Sequence, residues 1–150
     1  MKTLFYNTND LEGQCLRVKA RGRKDIAFVA EALSASTVYL SKSFDAISIR
    51  PSDDASSSIL QALYENGLRY ITIRAAKNSS LDLKKAAELG ITVANVPFCA
   101  SSPAAYPATD LMDYMVTVTF YNLACRKKDL LSGNELTCAD HLPGATIYSR

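Results

Sequence analysis

The apolar positions along the chain fall into short β-branched runs separated by stretches with helical spacing. Asp53 and Asp54 precede one apolar stripe that Gly67 terminates, which predicts a helix with an N-cap at its start and a glycine stop at its end. The β-branched run Leu68–Arg74 then predicts a strand. Helix, glycine and strand follow each other again over residues 81–96, with the helix at Leu81–Leu89. Such an alternation indicates a parallel sheet covered on both faces.

The remaining apolar runs complete a five-stranded sheet. We predict strands at Lys2–Tyr6, Asp25–Val29, Asp45–Ile49, Leu68–Arg74 and Ile91–Val96. A helix is expected between the first two strands, and another over about Ala32–Ser41. Five strands joined by helices predict an α/β fold, a flavodoxin-like three-layer doubly wound parallel sheet, with the 150 residues forming a single domain.

The last predicted element is a long helix over Leu111–Leu123, and Pro107 places the start of its regular part near Thr109. Its apolar side chains occur on more than one face, and a helix that is apolar all round should be buried on both sides. We therefore expect a homodimer through this helix. The residues expected at that interface are Leu111, Met112, Met115, Val116 and Phe120. Residues 126–150 form a polar tail without an assigned structure.

Composition narrows the classes of function. The formal net charge of +2 gives no reason to expect a nucleic-acid partner, and no run approaches the ~18 apolar residues of a membrane span. The basic cluster Arg17–Lys24 is expected to be a solvated helix end. The N-terminus has no signal-peptide pattern, so we expect a cytoplasmic protein. Four cysteines without CxxC spacing and a single histidine, His141, predict reduced thiols and no metal site.

The centre of the chain carries a resemblance to a known family. The matching motifs, in order, are Ile73-Arg74, Ala76, Leu81-Asp82, Glu88–Ile91 and Val96-Pro97. In this order and spacing they resemble the N-terminal catalytic, substrate-side domain of the D-2-hydroxyacid dehydrogenase family, and the D-lactate dehydrogenases most of all. The resemblance covers roughly Asp25–Cys125.

The resemblance implies a site for a substrate carboxylate in the turn after the fourth strand. The corresponding residues are Ala76, Lys77, Asn78, Ser79 and Ser80. Consecutive backbone N–H groups in a turn can bind an anion, which fits this role. Two positions depart from the family pattern. Lys77 stands where the family usually has a glycine, and Phe98–Ala100 lacks the tyrosine that D-lactate dehydrogenases have after Val-Pro.

The resemblance also implies NAD as the cofactor of the full-length family. There, a second domain supplies the dinucleotide turn and the catalytic arginine, glutamate and histidine. This chain contains no GxGxxG sequence, and the surroundings of His141 do not resemble the catalytic histidine of the family. We therefore expect no catalytic residue and no cofactor bound by this chain alone.

Two hypotheses follow for the function. The first is a stand-alone, non-catalytic homologue that binds a small 2-keto or 2-hydroxy acid or a partner protein. The second is a component or truncated form of an NAD-dependent D-2-hydroxyacid dehydrogenase that needs a nucleotide-binding domain from another chain. Because the turn expected to hold the substrate has diverged at Lys77, the sequence favours the first hypothesis.

Overall fold

A computed structural model describes residues 1–75, 78–96, 108–132 and 147–148, with the side chains of 112–124 in the last helix. Four helices and six strands are present in these ranges, together with a 3₁₀ turn at Val38–Ser41. The strands are β1 (Thr3–Phe5), β2 (Ile26–Phe28), β3 (Ala46–Ile49), β4 (Tyr70–Ile73), β5 (Thr92–Asn95) and β6 (Ile147–Tyr148). The helices are α1 (Leu11–Lys19), α2 (Ser57–Glu65), α3 (Leu83–Glu88) and α4 (Ala108–Ser132).

The strands form one sheet in the order β2-β1-β3-β4-β5-β6. The first five are parallel, with Ile47 beside Ile71 and Ile71 beside Val93 in neighbouring strands. The short β6 pairs with β5 in the antiparallel direction, so part of the tail that the sequence left unassigned joins the sheet edge. The predicted α/β fold with a five-stranded parallel sheet is confirmed.

Helices cover both faces of the sheet. On one face, α2 and α3 pack over Ile47, Ile49 and Ile71 of the central strands. On the other face, α1 and α4 pack over Phe5 and Tyr70. Burial on both faces explains why the strands of this chain are nearly continuous apolar runs.

The predicted helix over Ala32–Ser41 is wrong, since only the 3₁₀ turn Val38–Ser41 forms there. The Thr37 hydroxyl donates to the carbonyl of Ala32 at 2.6 Å and accepts from the backbone N–H of Ser34 at 2.9 Å. Side-chain bonds of this kind offer the backbone an alternative to helical pairing, and they hold this segment as an irregular loop.

The predicted capping role of Asp53 and Asp54 is also wrong in detail, because the N-cap of α2 is Ser56. Asp54 accepts a hydrogen bond from the backbone N–H of Ser56 at 3.0 Å, in the loop before the helix. Asp53 is buried and instead accepts from the backbone N–H groups of Arg50 at 2.7 Å and Leu33 at 3.3 Å. Asp53 therefore organises the loop between β3 and α2.

Helix α4 has one buried and one exposed face in this chain. Val116, Phe120 and Leu123 are buried against the sheet. Asp113, Thr117, Tyr121 and Ala124 are exposed at helical spacing on the opposite side. Among the described residues, no helix is long and apolar enough to cross a membrane. The homodimer through α4 stays a prediction, and Val116 and Phe120 belong to the core of the chain itself.

Candidate functional site

The carboxyl ends of β1, β3 and β4 meet at one edge of the sheet, since these strands are neighbours and parallel. The chain leaves β1 toward β2 on one side, and β3 lies on the other side, so this edge holds the point where the strand order reverses. In open α/β sheets, ligands bind at such a point, outside the carboxyl ends of the strands. An open cleft of about 460 Å³ lies here, lined by Glu12, Arg50, Pro51, Ser52, Arg74, Ala75, Met112 and Met115.

Arg74 follows β4 directly and is the most deeply buried charged residue of the cleft, with 1% of its surface exposed. Its Nη2 donates to the carbonyls of Tyr6 at 2.7 Å and Asn7 at 3.3 Å, and its Nη1 donates to Ser48 Oγ at 3.0 Å. Its Nε lies 3.2 Å from Glu12 Oε1. Desolvation lowers the pKa of Arg74, and the charge of Glu12 opposes that shift. Arg74 thus connects β4 to the end of β1.

Arg50 follows β3 directly and extends into the cleft, with 27% of its side chain exposed. Its Nε lies 2.8 Å from Glu12 Oε2, and its Nη2 pairs with Asp10 Oδ2. Its Nη1 donates no hydrogen bond to a residue that the structure describes. Burial alone would lower the pKa of Arg50, but Glu12 and Asp10 outweigh it and hold that pKa above its usual value. The guanidinium is therefore charged and oriented, and it is partly exposed on the cleft.

Glu12, in the first turn of α1, is shared between the two arginines. Its contacts are ion pairs without the alignment of hydrogen bonds, which leaves Glu12 Oε2 and Arg74 Nε without a hydrogen-bond partner in the described part of the chain. Buried polar atoms in proteins are usually satisfied by protein, water or ligand. The floor of the cleft is therefore a polar surface suited to contact with a bound polar molecule.

The predicted carboxylate turn lies next to this cleft, because Ala75 lines the cleft and precedes the turn. Asn78 is buried, and its amide group donates to the carbonyls of Arg50 and Asp53, each at 2.9 Å. Ser80 Oγ donates to the carbonyl of Asp53 at 3.0 Å, and Ser79 is exposed. The side chains of Asn78 and Ser80 thus fix the turn onto the loop after β3.

The predicted ligand contacts of that turn are not tested by these bonds. Ala76 and Lys77 lie outside the described residues. For residues 78–80, the described side-chain bonds belong to the scaffold, so a carboxylate would be bound by backbone N–H groups, as the sequence predicts. Carboxylate binding at residues 76–80 stays a prediction.

The turn between β1 and α1 occupies the place where a dinucleotide would meet a helix N-terminus in this class of sheet. Asp10 caps α1 by accepting from Gly13 N–H at 3.1 Å, and Glu12 adds a second carboxylate in the first turn. Desolvation would raise the pKa of Asp10, but the Gly13 hydrogen bond and the pairing with Arg50 outweigh it and hold that pKa below its usual value. Asp10 already accepts the Gly13 N–H that a pyrophosphate would bind at this helix end, so the described residues do not fit NAD at this turn.

Gly13 has a packing role at the same turn. A Cβ atom added to Gly13 would lie 2.1 Å from the carbonyl oxygen of Thr8. Only glycine lets the turn lie this close to the helix, and the close approach brings Glu12 toward the arginines.

In the described part of the chain, no group of three or more histidine, cysteine, aspartate or glutamate residues could bind a metal ion.

Sequence reasoning missed Glu12 and Arg50, and it noted Arg74 only as a family match. The available signal was position, because Arg50 and Arg74 each follow a short buried strand of a parallel sheet directly. Met112 and Met115 were predicted at a dimer interface, and the structure places both on the cleft. The side chain of Leu111 lies outside the described residues.

Comparisons with known proteins agree with this architecture. Residues 4–122 match the family model for the D-isomer specific 2-hydroxyacid dehydrogenase catalytic domain. A 2-hydroxyacid dehydrogenase homolog from Haemophilus influenzae is 33% identical over 106 residues, which cover 70% of this chain and 31% of that protein.

Two solved structures show the same fold. The apo-structure of D-lactate dehydrogenase from Escherichia coli is similar with a TM-score of 0.64 at 25% identity, over 96% of this chain and 45% of that one. An NAD-complexed D-isomer specific 2-hydroxyacid dehydrogenase from Lactobacillus delbrueckii ssp. bulgaricus has a TM-score of 0.58 at 23% identity, over 65% of this chain and 30% of that one. This chain thus matches less than half the length of these proteins. From its sequence and its fold together, the chain belongs to the D-isomer specific 2-hydroxyacid dehydrogenase family, as a match to the catalytic domain.

Proposed function

We propose that this chain binds the carboxylate of a small 2-keto or 2-hydroxy acid in the cleft at the carboxyl ends of β3 and β4. The observation that carries the proposal is the guanidinium of Arg50, which Asp10 and Glu12 orient on the cleft while its Nη1 donates no hydrogen bond to a described residue. A planar guanidinium matches the geometry of a carboxylate. Backbone N–H groups of the adjoining turn would complete the site.

Arg74 supports this site as a positioning residue. Its bonds to the carbonyls of Tyr6 and Asn7 hold the end of β1 against β4, and its contact with Glu12 holds the carboxylate that orients Arg50. The order of contacts from the sheet outward is therefore Arg74, Glu12 and Arg50. A ligand would meet only the last of these guanidinium groups.

The chemistry supported by the described residues is binding and orientation. When bound, a nicotinamide cofactor would supply a hydride to the keto carbon, and a separate acid would supply a proton to its oxygen. The turn before α1 does not fit a dinucleotide, because Asp10 and Glu12 occupy it. We therefore propose a binding function in which this chain is non-catalytic by itself.

Completion of an enzyme by another chain is the second candidate function. It is favoured by the match of residues 4–122 to a catalytic domain and by the greater length of the related dehydrogenases. Under this proposal, a nucleotide-binding domain from another chain would close over the cleft. Oxidation of NADH with pyruvate, measured for this chain with and without a separately produced nucleotide-binding domain of a D-lactate dehydrogenase, tests it. Turnover only in the mixture would support the second candidate.

Calorimetric titration with pyruvate and with D-lactate tests the binding function directly. We expect binding by the unmodified chain and an affinity lowered about tenfold or more for Arg50→Gln, since a charge-assisted hydrogen bond contributes about 1.5–3 kcal/mol. The matched control is Arg69→Gln, because Arg69 lies over the ring of Tyr64, in a contact separate from the cleft. Circular dichroism of both variants verifies that they fold. Equal affinities for Arg50→Gln and the unmodified chain would contradict the proposal.

A further inference from the structure

The buried carboxylate of Asp53 lies between three segments near the cleft. Asp53 belongs to the loop after β3 and has 1% of its surface exposed. Its Oδ2 accepts from the backbone N–H of Arg50 at 2.7 Å. Its Oδ1 accepts from the backbone N–H of Leu33 at 3.3 Å and from Asn7 Nδ2 at 3.2 Å. The side chain thus joins the segment after β3 to the end of β1 and to the loop after β2.

The main chain of the same residue holds the turn after β4. The carbonyl of Asp53 accepts from Asn78 Nδ2 at 2.9 Å and from Ser80 Oγ at 3.0 Å. The backbone N–H of Ser80 donates to Asn78 Oδ1 at 2.8 Å, which stabilises the turn internally. The backbone N–H of Asp53 also donates to the carbonyl of Arg50 at 3.2 Å. One residue therefore contacts both parts of the proposed carboxylate site, Arg50 and the turn.

These contacts require a carboxylate at position 53 rather than an amide. An ionised carboxylate has two acceptor oxygens and no donor, whereas an asparagine side chain has one acceptor oxygen and a donor NH₂ group. Because both oxygens of Asp53 accept from N–H groups, an amide in the same place would direct its NH₂ group at one of those donors. Burying a charge is costly unless its hydrogen bonds are made. The carboxylate and the segments that donate to it therefore stabilise each other.

We propose that Asp53 is a positioning residue of the cleft, which fixes Arg50 and the predicted carboxylate turn relative to each other so that both contact one carboxylate. This inference rests on the proposed binding function, in which Arg50 and the backbone N–H groups of the turn bind the ligand. Asp53 is not among the described residues that line the cleft, so it acts on the ligand through these two groups. Binding groups must be held within about 0.5 Å of their productive arrangement, which a shared buried anchor achieves.

Calorimetric titration with pyruvate compares Asp53→Asn with Asp54→Asn, the same change of charge at the next position of the loop. Asp54 is a matched control because it accepts from the backbone N–H of Ser56, at the start of α2. We expect an affinity lowered about fivefold or more for Asp53→Asn and unchanged for Asp54→Asn. The losses caused by Asp53→Asn and Arg50→Gln should be less than additive in the double variant, because the two residues act on one ligand contact. Additive losses would overturn the inference.

Amide hydrogen exchange tests the connection between the two segments without a ligand. In Asp53→Asn, exchange should be faster at the backbone N–H of Arg50, which bonds to the replaced side chain. It should also be faster at the backbone N–H of Ser80, whose bond is made within the turn. Ser80→Ala is a milder change from the turn side, and it should speed exchange at Arg50 and weaken pyruvate binding in return. Faster exchange at Arg50 alone in Asp53→Asn would overturn the inference.

Circular dichroism verifies that each variant folds, and Ser80→Ala decides the question if Asp53→Asn does not fold. Unchanged pyruvate affinity in a folded Asp53→Asn protein would overturn the inference and leave the proposed binding function standing. If the unmodified chain binds neither pyruvate nor D-lactate, the binding function itself is rejected and this inference with it.

Discussion

Glu12 on α1 and Arg74 at the end of β4 form an ion pair at 3.2 Å, with 3% and 1% of their side chains exposed. The pair joins the helix to the centre of the sheet, directly beneath the proposed site. Burying two charges carries a large desolvation cost, which is recovered only with good geometry and additional hydrogen bonds. Arg74 has those bonds, to two backbone carbonyls and to Ser48 Oγ. The pair therefore depends on both partners being present.

Glu12→Gln should lower the free energy of unfolding by about 3–5 kcal/mol, since breaking a buried pair leaves an uncompensated charge on Arg74. Urea denaturation followed by circular dichroism measures this change. The control is Glu65→Gln, because Glu65 is exposed and accepts a hydrogen bond from the exposed side chain of Gln61 at 3.0 Å. That change should stay within about 0.5 kcal/mol. A loss below about 1 kcal/mol for Glu12→Gln, as in exposed pairs, would show that the pair is hydrated in solution.

The sheet could be predicted from the sequence because strands that are buried on both faces appear as continuous apolar runs. The predicted strands Lys2–Tyr6, Asp45–Ile49 and Leu68–Arg74 differ from β1, β3 and β4 by at most two residues at either end. Strands buried on both sides are continuous apolar runs that need no knowledge of their partners. The predicted helix over Ala32–Ser41 is wrong because the hydroxyl of Thr37 bonds to the backbone of Ala32 and Ser34, which apolar spacing does not reveal.

The polar floor of the cleft could be predicted only in part. Arg50 and Arg74 are placed by the strands they follow, so their presence at one edge of the sheet could have been inferred from the sequence. Glu12 could not be assigned in the same way, because an acidic residue in the first turn of a helix ordinarily interacts with the helix dipole in solvent. Its burial depends on the angle at which α1 crosses the sheet, which is a property of tertiary packing.

Asn78→Ala should lower the free energy of unfolding by about 1–3 kcal/mol, since the side chain makes two hydrogen bonds to carbonyls of the loop after β3. It should also weaken binding of a 2-keto acid, because it loosens the predicted carboxylate turn. Thermal unfolding and calorimetric titration measure the two effects. Ser79→Ala is the control one position away. The side chain of Ser79 is exposed, so its removal should change neither the free energy of unfolding nor the affinity. Unchanged affinity in a destabilised Asn78→Ala protein would show that the turn takes no part in ligand binding.

The free energy of unfolding should depend on pH through the ionisation of Asp10. Its pKa lies below the usual value, because the Gly13 hydrogen bond and Arg50 outweigh desolvation. A carboxylate with a lowered folded-state pKa adds stability that is present above its unfolded pKa, about 4, and is lost as the pH falls through the folded value. Asp10→Asn keeps the capping geometry without the charge. The difference in unfolding free energy between the two proteins should therefore be largest near neutral pH and shrink below about pH 4. A constant difference would mean that the charge of Asp10 makes no net contribution.

Association through α4 remains a prediction, and its exposed face provides the means to test it. Tyr121 is an exposed apolar residue on that face, while Val116 on the opposite face is buried in the core of the chain. We expect a dimer mass in light scattering and a monomer for Tyr121→Glu, since a charge at an apolar contact opposes association. Tyr39→Glu, at another exposed tyrosine, should leave the mass unchanged. A monomer at every concentration of the unmodified chain would reject the dimer.

Gly13→Ala should destabilise the protein although alanine is the better helix former by about 1 kcal/mol. The added Cβ would lie 2.1 Å from the carbonyl oxygen of Thr8, a backbone atom that cannot rotate away. Because overpacking typically costs about 1–3 kcal/mol, the clash outweighs the gain in propensity. Gln14→Ala, at the exposed neighbouring position of α1, should be neutral or slightly stabilising. Calorimetric unfolding distinguishes the two, and a more stable Gly13→Ala protein would contradict the close packing of the turn. If the turn moves outward to admit the methyl group, Glu12 moves with it. A Gly13→Ala protein that keeps its stability but binds a 2-keto acid more weakly would then attribute the loss of affinity to a changed orientation of Arg50.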